Sequence, residues 1–232
     1  MSLKTKQDYY NIADGVSVVC VKSDEGHTHS LAEVHGQDGS IVAADVYGDT
    51  RSPSCDYQLK AQLVTEKSGN TDTLIKLGKV VTVDEMKFCL GSFTISTAAG
   101  AAPTISAGGE QVADDATQGC VYEIPAFTLP TTHHAQILFS AFSLSGTGNH
   151  LQSASYAGSA TISKATKDGV CLAHDVVEGK IEAQISIMQV GSTPPTVTPG
   201  SGWEVSAPLD CSNPDSDHAT WSMTLVKYLA KA

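Results

Sequence analysis

The chain has 232 residues, 41% hydrophobic and only 17% charged, with a net charge of −11 from 25 acidic against 14 basic side chains. This is the composition of a folded chain, long enough for one large or two ordinary β-domains, and not of a disordered one. The Lys and Arg residues form no basic stripe, which disfavours nucleic-acid binding by phosphate neutralisation. No run of 18 apolar residues offers a membrane span, and the polar opening MSLKTKQDYYNIADG has no apolar core of the kind a signal peptide needs.

Period-2 alternation dominates the chain, which predicts a mainly β protein with little helix. The first strand is expected at 16–23 (VSVVCVKS) and the next at 40–47 (SIVAADVY). Tyr57, Leu59, Ala61 and Leu63 then alternate with polar residues, putting one face on a core and one toward water. Residues 79–96 (KVVTVDEMKFCLGSFTIS) read as a strand; within them DEMKFCL, at 84–90, is the best short helix candidate, although a strand fits it equally well. VYEIPAFTL at 121–129 is a further strand. HAQILFSAFSLS at 134–145 is apolar on both faces through Ile137, Leu138, Phe139 and Phe142, so it is expected as a central strand or at an interface. Ile181, Ala183, Ile185 and Ile187 alternate cleanly, as do Trp221, Met223 and Leu225. Turn signals fall at 14–15, 38–39, 68–70, 107–109, 146–149, 167–169 and 211–217.

One phrase occurs twice. Residues 103–112 read PTISAGGEQV and residues 195–205 read PTVTPGSGWEV. The spacing is too long for a solenoid period. It suggests two related β-sandwich or open-barrel domains, 1–130 and 131–232, with the boundary between about residues 100 and 135 and the strand 121–129 corresponding to 219–229.

Candidate chemistry is sparse. His27 and His29 share a strand face and, with Glu33 or His35, resemble part of a metal site, but a site needs three or four convergent ligands. His133 and His134 are adjacent and point to opposite faces of a strand. The turn with Asp210, Asn213, Asp215 and Asp217 has the composition of a calcium loop but lacks its glycine and its bidentate Glu, and Pro214 marks it as a turn. Six cysteines, at 20, 55, 89, 120, 171 and 211, form no C-x-x-C; free thiols are the favoured reading, Cys20 and Cys89 acting as small hydrophobes, and the even count leaves disulfides as the alternative. No G-x-S-x-G, H-E-x-x-H, P-loop or dinucleotide fingerprint is present. No catalytic, cofactor-binding or metal-binding residue is therefore assigned, and no enzyme activity is expected. Trp221 reads as core. Trp203, after Gly202, is the candidate exposed ring, and with Tyr9 or Tyr10 it would give the alternative reading, a β-sandwich carbohydrate- or cell-surface-binding module.

The segments GWEVSAPLDCSNPDSDHATWSMTLVKYL (202–229) and IVAADVYGDTRSPSCDYQLKAQL (41–63) resemble strands of phage and prophage tail proteins of the tail-tube type. The resemblance implies a β-sandwich or open barrel with a flanking helix, subunits that stack as rings, and hub proteins that carry two such units. It implies a non-enzymatic virion protein, made in the bacterial cytoplasm, whose partners are its own copies and other tail proteins. Self-association would use sheet edges and loops, and an acidic inner surface would repel the phosphates of passing DNA.

Overall fold

The computed structural model describes residues 7–12, 18–59, 75–113, 116, 121–122, 124–125, 127, 134–167, 170–212 and 218–231. Among them the regular structure is all β, with no helix: β1 (Val18–His35), β2 (Ile41–Leu59), β3 (Val80–Val83), β4 (Met86–Ala98), β5 (Thr104–Gln111), β6 (Phe142–Ser145), β7 (Asn149–Lys167), β8 (Val170–Val190), β9 (Thr196–Pro199), β10 (Glu204–Ser212) and β11 (His218–Tyr228). Nine of these form one antiparallel sheet in the order β1-β2-β5-β4-β7-β8-β11-β10, with β3 beside the start of β4; β6 and β9 make a separate two-stranded sheet. Among the described residues the large sheet does not close into a barrel.

Alternation decides which face is covered. A row runs straight across six strands, Tyr57–Ile105–Ile95–Tyr156–Ala183–Leu225, and every member has no exposed surface. One residue along lies the row Gln58–Thr104–Ser96–Ser155–Gln184–Thr224, short and polar on the open face. The pleat turns successive side chains to opposite faces, so a one-residue slip would expose the whole apolar set. Irregular segments and the small β6–β9 sheet cover the apolar face, supplying Tyr10, Leu77, Phe127, Phe139 and Trp203.

The apolar segment 134–145 is not a central strand. Only Phe142–Ser145 is extended, and the rest straps across the core. Two polar groups in the sheet anchor it. Gln136 N–H donates to Thr97 Oγ1 (3.1 Å), and Leu138 N–H donates to the Tyr156 hydroxyl (2.9 Å), which in turn donates to Gln136 O (3.0 Å). Left-handed Phe139 and Ser140 (φ 56° and 47°) then turn the chain, and the Phe139 ring lands 4.6 Å from Phe127 and 5.6 Å from Tyr156. Leu138, Phe139 and Phe142 enter the core while Ile137 is 40% exposed, so the segment is a strap with one side on the core and not a strand paired between others.

Residues 79–96 are a hairpin and not one strand. Asp84 and Glu85, both left-handed (φ 48° and 68°), connect β3 to β4 as a two-residue loop. The helix alternative at 84–90 is thereby replaced by turn and strand. Ala107, Gly108 and Gly109, expected in a turn, lie inside β5. A Cβ at Gly109 would sit 2.0 Å from Cys89 O, so glycine there lets the two strands meet at a bulge.

The two copies of the repeated phrase occupy non-equivalent places. The first is β5, inside the large sheet; the second is β9 in the small sheet, a turn at Ser201 and Gly202, and the start of β10 at an edge. Pairing of β4 with β7 joins residues before 130 to residues after it in one sheet, over one shared apolar cluster.

Candidate functional site

The aromatic rings singled out for ligand stacking are not on the surface. Tyr9, Tyr10 and Trp203 are all buried, and the Trp203 indole N–H finds no acceptor among the described residues. Burial raises the Tyr9 hydroxyl pKa to about 12, with help from its hydrogen bond to Glu25. Trp221 packs against the core and donates through Nε1 to Gln189 Oε1 at 2.8 Å. Among the described aromatic rings, Tyr228 stands in solvent.

The histidines on β1 do not converge. His27 leans toward Glu25 (3.8 Å) and His35 toward Glu33 (3.4 Å), while His29 sits where the β1–β2 register shifts. Among the described residues no three His, Cys, Asp or Glu side chains are grouped as a metal site. His134 is exposed; His133 lies outside the described residues, as do Asn213, Asp215 and Asp217 of the acidic turn. Five cysteines are free thiols: Cys20, Cys55, Cys89, Cys171 and Cys211. Cys120 lies outside the described residues. Burial raises the Cys89 thiol to about 12 and Cys20 to about 11, so both are poor nucleophiles.

What stands out is an arm. β1 and β2 pair along their full lengths, yet β2 contacts β5 only through Ser54–Gln58. Among the described residues the ribbon beyond it pairs with no third strand. Its base is tied down by a polar knot: Arg51 Nη1 donates to Glu25 Oε1 (3.0 Å), the Tyr9 hydroxyl donates to Glu25 Oε2 (3.1 Å), and the Tyr10 hydroxyl donates to Pro53 O. Its tip is a formed turn. Gly36 N–H donates to Ser40 O (2.7 Å), Ser40 Oγ donates to Asp38 Oδ1 (2.6 Å), and Gly39 is left-handed. Those hydrogen bonds hold the Asp38 carboxyl below its usual value.

Between base and tip the ribbon, otherwise largely polar, carries four uncovered apolar side chains. Leu31, Val34, Ile41 and Val42 are 54%, 60%, 55% and 65% exposed. A two-stranded ribbon in water is marginal on its own, and covering each such side chain is worth roughly 1.5–3 kcal/mol. The opposite edge of the sheet is different. β10 carries Pro208 and two register breaks against β11, features that block pairing with another strand.

The sequence matches no known family model and no curated protein.

Proposed function

We propose that this chain is a non-enzymatic structural protein of a phage or prophage virion, tail-tube- or hub-like, that works by self-association. One observation carries the reading: the β1–β2 arm, formed and anchored, but with Leu31, Val34, Ile41 and Val42 bare. A projecting ribbon that binds elsewhere on another copy makes a head-to-tail contact, and such contacts build rings or filaments. The interrupted β10 edge favours a contact through the arm and its tip loop over open edge pairing. The free thiols and acidic composition fit a protein made in the bacterial cytoplasm and assembled there.

Light scattering across a concentration series, with electron microscopy of the products, tests this. Rings, tubes or a discrete symmetric oligomer are expected, and the double variant V34K/V42K, altered only on exposed positions, should yield monomer. A wild-type protein that remains monomeric at high concentration overturns self-association.

A further inference from the structure

A second feature of the surface is independent of the arm and lies in the other half of the sheet. Opposite Ala160 of β7, β8 contributes two residues, Glu178 and Gly179, because Ser159 pairs with Lys180 while Thr161 pairs with Val177. This two-against-one bulge opens a cleft of about 790 Å³ between β7, β8 and the end of β11, a volume in the range of small-molecule sites. Tyr122 packs at its base: a Cβ on Gly179 would sit 2.4 Å from the Tyr122 ring, so position 179 admits only glycine. Leu229 N–H donates to Gly179 O (2.8 Å) and fixes the end of β11 against the bulge.

Two side chains in this cleft are at odds with a purely structural role. Glu178 holds a left-handed backbone (φ 60°) that glycine adopts without strain, and its carboxylate has no hydrogen bond or ion pair within the described residues. Tyr228, directly across from Lys180, is 69% exposed, the most exposed of the large apolar and aromatic side chains described. Ser159 and Thr161 bring hydroxyls to the same cleft. Lys180 is committed to Glu182 at 2.8 Å, so the site offers no free cation for an anionic ligand.

We infer that this cleft binds a neutral saccharide, the Tyr228 ring stacking on the apolar face of a pyranose while Glu178 accepts hydrogen bonds from its hydroxyls and Ser159 and Thr161 complete the polar contacts. An open aromatic ring beside an unpaired carboxylate and two hydroxyls matches a ring that is apolar on its faces and polar around its rim. The left-handed backbone at Glu178 carries a strain that glycine would relax and sets the carboxylate at the rim of the cleft. The inference does not depend on self-association.

Saturation-transfer NMR with the methyl glycosides of glucose, galactose, mannose and N-acetylglucosamine tests it on the full chain. At least one is expected to bind in the millimolar range. Tyr228→Ala and Glu178→Gln should each weaken that binding about tenfold or more, and Tyr228→Phe should retain it. Glu178→Gly should raise Tm while losing the sugar, a pairing that general damage to the fold does not produce. Absence of binding to all four sugars, or binding unchanged in Tyr228→Ala and Glu178→Gln, overturns the proposal. Oligomer formation is read separately, so failure here leaves the assembly reading standing, and the reverse holds too.

Discussion

At the scale of single residues, the covered face of the sheet leaves little slack. Gly158 sits in β7 beneath Phe93, and a Cβ there would be 2.1 Å from Phe93 Cε1. Gly158→Ala is therefore expected to destabilise by about 1–3 kcal/mol or more, seen as a lower urea midpoint at unchanged m-value. His174 gives a pH signature. Its Nε2 is buried without a hydrogen-bond partner among the described residues, and burial lowers its pKa below 6.5, opposed by neighbouring Asp175; Lys164, bonded to Glu110, is its cross-strand neighbour. The folded state thus binds fewer protons than the unfolded state between the depressed value and 6.5, so stability falls as pH drops through that window. Tm measured at pH 7.5 and 5.5 should fall less in His174→Gln than in the parent. The buried alternation at Ile181, Ala183, Ile185 and Ile187 was legible in sequence, since each of these residues answers only to the pleat. The burial of Trp203 was not: Gly202 before it suggests a surface turn, and only the turn from Gly200, whose O accepts from Trp203 N–H at 3.1 Å, brings the ring back under the sheet.

At the scale of elements, the misread segments share a cause. The β3–β4 turn uses Asp84 and Glu85, without the glycine that normally announces a two-residue hairpin loop. Glu85 is left-handed at φ 68°, so Glu85→Gly should stabilise by about 1 kcal/mol, measurable as a rise in the denaturation midpoint. The strap at 134–141 has the apolar content of a central strand, and its true path depends on Thr97 and the Tyr156 hydroxyl, which lie elsewhere in the chain. Strand lengths were also underestimated. Of the runs expected at 16–23 and 40–47, residues 18–23 and 41–47 belong to strands reaching Val18–His35 and Ile41–Leu59, while 16 and 17 lie outside the described residues; polar residues pair in a solvated ribbon as readily as apolar ones and leave no hydrophobic period to read.

At the scale of the whole molecule, the described residues form a nine-stranded sheet with a cover on one face, to which a second, two-stranded sheet belongs, and an arm at one end. The arm contributes little to that core. Replacing residues 31–46 with Asn-Gly, to close a shorter hairpin, should leave Tm nearly unchanged while abolishing any concentration-dependent association. Calorimetry and light scattering on the same sample would read both. A large loss of Tm would instead make the arm part of the folding unit.

The sequence by itself determined the fold class, the inward and outward faces of β8 and β11, and the lack of any recognisable catalytic motif. Those follow from local rules: the pleat alternates side chains, and such motifs need fixed residues at fixed spacing. The tertiary structure alone decided which strands are neighbours, that the repeated phrase serves as an inner strand once and an edge connection the other time, and that the arm stands bare. It also decided that Glu178 and Tyr228, 50 residues apart in sequence, share a cleft. Each of these depends on which distant segment comes to lie alongside, and a pattern of hydrophobicity along one strand carries no record of its neighbour.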